Sequence, residues 1–243
     1  RDAGRSPGLC LHGVKEMKGF ILLLLTFFII PAQAGIVIYG TRVIYPAGKN
    51  EVMVQLMNRG DRGALVQAWI DDGNTSIAPE NIRVPFLISP PVVRVRANTG
   101  QQLKIKALSN TLPQNQESLF YLNVLDIPPN ASVNDGKNVV KFAIQNRIKL
   151  FYRPEGVAGV TQASFHHLDL QQKGKNVLLK NNSANWITIP EIKVNNVKGN
   201  SKAIMLAPFS QQMITLSGSV ARQYKITLID DYGNYISDSI SVK

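Results

Sequence analysis

Apolar and polar residues alternate at every second position through much of this chain, and the clearest case is the segment 138–154, NVVKFAIQNRIKLFYRP. Val140, Phe142, Ile144, Ile148 and Leu150 share one phase, while Lys141, Gln145, Arg147 and Lys149 fill the other. Alternation of this length predicts one long strand with an apolar face and a cationic face. A strand of that kind pairs on both edges or leaves one edge for a partner. Shorter stretches of similar character precede it at 36–45, 51–58, 64–71, 82–88, 101–108 and 118–125, with Pro, Gly, Asn and Asp between them. Seven strands at this turn-punctuated spacing predict an immunoglobulin-like sandwich.

Beyond Arg153-Pro154-Glu155-Gly156 the β spacing resumes with a different composition, and those four residues read as a hinge. Segments 164–171, 175–181, 186–194, 203–206, 211–216, 222–229 and 234–242 are the strands expected of a second, smaller sandwich. The fold class is therefore all-β with two sandwich domains, 35–154 and 155–243. Residues 1–34 stand apart. Met17 and Lys18 precede the apolar run FILLLLTFFII, and Ala32-Gln33-Ala34 follows, as in a secretory signal peptide spanning 17–34. The run is short for a membrane span, so no stable membrane insertion is expected once the leader is removed.

Composition narrows the chemistry. The lone cysteine, Cys10, lies in the leader, so the exported chain is expected to fold without an internal disulfide. The formal charge of +11 is scattered rather than massed in a run, which reads as a solvated surface and not as a nucleic-acid site. His166 and His167 are adjacent on an expected strand and would point to opposite faces, too far apart in direction to hold one metal together. No nucleophile elbow, phosphate-cradling glycine loop or zinc-protease motif is present. The chain is expected to be no enzyme and to need no cofactor or metal.

One long motif is far more specific. From Leu112 the sequence reads LPQNQESLFYLNVLDIPP, and the long strand ends in IKLFYRP. Together these resemble the periplasmic pilus chaperones, the immunoglobulin-like assembly factors of the chaperone–usher pathway. Thr41-Arg42, Gln67-Ala68-Trp69-Ile70, Ser89-Pro90-Pro91 and Asp231-Tyr232-Gly233 agree with the same family. The resemblance implies two immunoglobulin-like domains set at an angle around a cleft. It also implies that the long strand is lent to a pilus subunit lacking its own last strand, until an outer-membrane usher takes over.

Carried over residue by residue, the resemblance makes Val140, Phe142 and Ile144 the apolar residues donated to the subunit's groove. Arg42 and Lys149 become the anchor for the subunit's C-terminal carboxylate. Glu117, Arg153 and Asp231 match a trio that bridges the two domains, expected to act on the domain angle more than on global stability. The chain departs from many relatives in lacking a cysteine pair late in the second domain. Its brief connection at 130–137 resembles the short-loop branch that serves composite, rod-like pili. The expected partners are pilus subunits and the usher, and a self-capped dimer without client stays open. The competing readings are a fimbrial structural subunit or adhesin, and a basic exported surface-binding module.

Overall fold

The computed structural model describes residues 35–127, 142–218 and 220–243. The expected leader, the short connection at 130–137 and Val140 lie outside the described residues. The first lobe is built from β1 (Ile36–Ile38), β2 (Arg42–Pro46), β3 (Val52–Asn58), β4 (Ala64–Asp71), β5 (Phe86–Ser89), β6 (Val92–Val95), β7 (Gly100–Ala107), β8 (Ser118–Ile127) and β9 (Ile144–Arg153). They form two sheets, β1-β3-β7-β5 and β2-β9-β8-β4-β6. Alternate residues of both sheets point inward: Val54 and Leu56 of β3, Leu103 and Ile105 of β7, Val66, Ala68 and Ile70 of β4, Leu122 and Val124 of β8.

Tyr45 is fully buried in this core. Its hydroxyl shares its one proton between the backbone carbonyls of Lys49 and Asn50 and accepts from the Ala107 N–H, so burial leaves its polar tip satisfied. Its ring stacks on Tyr152 at 5.9 Å, and Phe86 meets Phe120 edge-on at 4.9 Å.

Two expectations change here. The single strand expected at 36–45 is two short strands in different sheets, with Gly40 at φ 108° between them. Glycine tolerates that left-handed backbone, and the break lets β1 pair with β3 while β2 runs parallel to β9. The strand expected at 82–88 starts only at Phe86, because Pro85 lacks an N–H and a 3-10 turn at Pro79–Asn81 occupies the approach.

The second lobe follows with β10 (Leu168–Lys173), β11 (Asn176–Asn181), β12 (Ile187–Ile189), β13 (Glu191–Val194), β14 (Val197–Lys198), β15 (Ile204–Leu206), β16 (Gln211–Thr215), β17 (Gln223–Ile229) and β18 (Tyr235–Ser241). It holds a separate core around Leu170, Leu179, Ile187, Ile189, Ile192, Leu206, Tyr224, Ile226 and Leu228. The strand expected at 186–194 is split at Pro190 into β12 and β13, which belong to different sheets. The strand expected from 164 begins at Leu168; before it lies a 3-10 turn, Gln162–His167. His166 and His167 are therefore exposed turn residues, not strand neighbours on opposite faces. Thr161 and Ser164 cap that turn reciprocally, which is why helical geometry overrides the β pattern there.

Candidate functional site

β8 pairs with β9 along its whole length from Ile144 to Tyr152, whereas β2 covers only Lys149 to Arg153 on the other side. Among the described residues, the first half of β9 thus has one edge without a strand partner. Its apolar phase changes surroundings along the same length. Leu150 is 0 % exposed in the first core and Ile148 packs against that core. Ile144 is 55 % exposed and Phe142, just before the strand begins, is 75 % exposed. Of the strand expected from 138, residues 138–141 lie outside the described residues, Phe142 and Ala143 are not in a strand, and β9 begins at Ile144.

Apolar side chains beside an unpaired edge expose both groups that a β-strand ordinarily buries or bonds. This stretch can accept a strand along its backbone and press two large side chains into an apolar groove.

Where β2 first meets β9, Arg42 and Lys149 sit opposite one another in a parallel register. Arg42 donates from Nη1 to the Ile229 carbonyl at 3.2 Å, and its guanidinium carbon lies 5.7 Å from the centre of the Phe151 ring. Its Nε is buried without a hydrogen-bond partner among the described residues. Burial pushes the Arg42 pKa down, against the pull of Asp231, Asp230 and Glu117. Burial, and then the Arg42 charge, push the Lys149 ammonium down as well. Two half-buried cations with a spare donor make a site suited to a carboxylate, which would offset their repulsion through charge-assisted hydrogen bonds.

Glu117, Arg153 and Asp231 are brought together at the junction of the two cores. Arg153 donates from Nε to Glu117 at 2.6 Å and holds Asp231 with both terminal nitrogens, at 2.6 and 2.7 Å. Glu117 also accepts the Trp186 N–H at 2.8 Å and the Asn185 side chain at 3.1 Å, both from the second lobe. Burial disfavours the Arg153 charge, but the Asp231 and Glu117 interactions outweigh it and raise the pKa. The resemblance implies a trio that acts on the domain angle more than on global stability. Glu117 is only 2 % exposed, so removing Arg153 would leave a buried carboxylate without its ion-pair partner. The turn that carries Asp231 is pressed against the residue that leads into β2: Gly233 sits at φ 88°, and a side chain there would collide with Thr41.

A further group was not singled out by sequence reasoning. On the polar face of β9, Arg147 reaches Asp71 of β4 at 2.5 and 3.3 Å and stacks over the Tyr121 ring at 3.6 Å. Asn123 donates to Asp71 at 2.6 Å and accepts from Gln145 at 2.8 Å. The signal in the sequence was only the cationic phase of β9, which reads as a solvated face until its partners on β4 and β8 are known.

Comparison with known proteins agrees with this geometry. Residues 35–158 match the family model described as pili and flagellar-assembly chaperone, PapD N-terminal domain, and residues 163–240 match the pili assembly chaperone PapD C-terminal domain. The chain is 57 % identical over 230 residues to the probable fimbrial chaperone YehC of Escherichia coli K12, covering 95 % of this chain and 96 % of that one. It is 40 % identical to the chaperone protein MrkB of Klebsiella pneumoniae, covering 93 % of this chain and all of the other. The crystal structure of the Pseudomonas aeruginosa CupB2 chaperone superimposes with a TM-score of 0.73 at 31 % identity, covering 85 % of this chain and 100 % of that one. By two domain models and whole-length relatives, this chain belongs to the pilus-assembly chaperone family.

Proposed function

We propose that this chaperone caps an incomplete fimbrial subunit by lending it the first half of its long strand, with Val140, Phe142 and Ile144 entering the subunit's groove, and hands the subunit on to an outer-membrane usher. The observation that carries the reading is the edge of the first half of β9 that no strand covers among the described residues, with Ile144 and Phe142 exposed beside it, while Leu150 in the same phase is buried. A subunit without its last strand has an apolar groove and open backbone groups. Added β9 residues would satisfy those groups and remove apolar area from water at roughly 25 cal/mol per Å². A slip by one residue would present Ala143 and Gln145 instead, so the alternation sets the register.

In this reading Arg42 and Lys149 hold the subunit's C-terminal carboxylate and thereby fix the end of the incoming chain. Glu117, Arg153 and Asp231 set the relation of the two domains, with the boundary at Pro154. The family works in the periplasm, and we assign residues 17–34 as the leader removed on export. Substitution of Ile144 by Glu should abolish co-purification of the cognate subunit from a co-expressing strain. Unchanged co-purification would overturn strand donation.

A further inference from the structure

Among the described residues the lent stretch of β9 is held along one edge only, by β8, and of its apolar side chains Ile148 packs against the chain's own core while Ile144 is exposed. A half-paired strand with solvent on one face would be free to twist and fray. What opposes this is its polar phase. Gln145 donates to Asn123 on β8, Asn123 donates to Asp71 on β4, and Asp71 receives Arg147 through both carboxylate oxygens. Arg147 is pinned from the other side by the Tyr121 ring. The chain of contacts runs from the donated strand across β8 to β4 and back.

Asp71 is the terminus of that chain and is 3 % exposed. Its Oδ1 also accepts the Gly73 N–H at 2.7 Å, so the carboxylate is fixed by the turn that ends β4. Burial alone would raise its pKa, but the Arg147, Asn123 and Gly73 hydrogen bonds together lower it, and the anion persists. A fixed, buried anion therefore faces the one guanidinium that belongs to the donated stretch. An Arg–carboxylate fork is directional, so it fixes the rotation of the strand as well as its position.

We propose that Asp71 is a positioning residue for subunit capture: through Arg147 and Asn123 it keeps Ile144 to Ile148 extended and in phase before any subunit arrives. The proposal rests on the strand-donation reading. Its consequence is kinetic. A strand already flat and in phase needs no ordering on encounter, so the latch speeds association. Once the subunit pairs with the open edge, the strand is held on both sides and the latch contributes little to dissociation.

The test compares the wild-type chain with Asp71→Asn and Arg147→Lys, using hydrogen exchange and the fimbrial subunit that the wild-type chain captures on co-expression. Losing a charge-assisted fork should raise exchange of the β8-bonded amides between Ile144 and Ile148 by about tenfold or more. Exchange in β3 and β7 should be unchanged. Subunit association should slow by a comparable factor with dissociation unchanged. If Asp71→Asn fails to fold, Arg147→Lys decides, since that side chain is 27 % exposed and keeps its charge. Unchanged exchange at 144–148, exchange raised throughout the domain, or an effect on dissociation alone would each overturn the proposal. Ile144→Glu separates the two ideas: if it abolishes capture while the latch variants associate normally, only the latch is wrong. If Ile144→Glu leaves capture intact, strand donation itself fails.

Discussion

Arg42 and Lys149 stand on one rung of two parallel strands, both half-buried, with burial and then the charge of the first depressing the proton affinity of the second. A protein gains nothing in its own stability from such a pair. Replacing Lys149 with Ala should leave the melting temperature unchanged or slightly raised, because a desolvated like charge is removed. Subunit affinity should fall by about 10- to 150-fold, the worth of one charge-assisted hydrogen bond of about 1.5–3 kcal/mol. Thermal unfolding and a titration with subunit measure the two effects separately.

The same pair sets a pH dependence. With its folded pKa lowered, Lys149 holds fewer protons in the native chain than in the unfolded one at pH values between its folded pKa and the ordinary 10.5. Stability attributable to this group therefore rises with pH across that window. The stability advantage of Lys149→Met over wild type should shrink as pH climbs towards 10.5. Subunit affinity should move oppositely, falling as the ammonium is lost. Chemical denaturation of both proteins at stepped pH checks the first, and binding at the same pH values checks the second.

Leu150 on β9 and Phe142 just before it share one phase of the alternation but should respond differently. Leu150→Ala removes a fully buried side chain and should destabilise the first domain by about 2–5 kcal/mol. Phe142→Glu changes a residue that is 75 % exposed, so stability should stay within about 0.5 kcal/mol of wild type. Its capture of subunit should nonetheless be weakened, since a charge would enter an apolar groove. Equal stability losses for the two variants would contradict the division of β9 into an internal and a lent half.

Arg153→Ala strips Glu117 of its cation and frees Asp231 from the first lobe. Breaking a buried pair in this way costs about 3–5 kcal/mol, and the change should also widen the distribution of interdomain angles seen by small-angle scattering. Arg153→Lys should restore part of the stability but not the angle, because an ammonium cannot grip two carboxylates with a planar fork.

Much of this fold is legible in the alternation of residues, and the failures have specific causes. β3, β4, β7 and β8 fall where periodicity predicts them, because each sends its apolar phase into a single core. The run at 36–45 has continuous β character, yet it changes sheets at Gly40, and period-two patterning carries no mark of which sheet a strand joins. The Gln162–His167 turn fails for a different reason: reciprocal capping between Thr161 and Ser164 outweighs a weak β pattern. The anchor pair and the trio were reachable only by resemblance, since Lys149 is out of phase with the apolar residues and Asp231 lies 78 positions from Arg153. Asp71 was invisible as a partner of Arg147 because the two meet across an intervening strand.

The most direct test of the account is amide hydrogen exchange of the chaperone alone and bound to its cognate subunit, read at residues 142–148. In an antiparallel pair every second amide points away from the neighbouring strand, so the amides that β8 leaves free should exchange rapidly in the isolated protein. On subunit binding those amides should become protected together with the backbone opposite them in the subunit. If they keep exchanging at the free rate while protection appears elsewhere on the surface, the subunit does not borrow this strand.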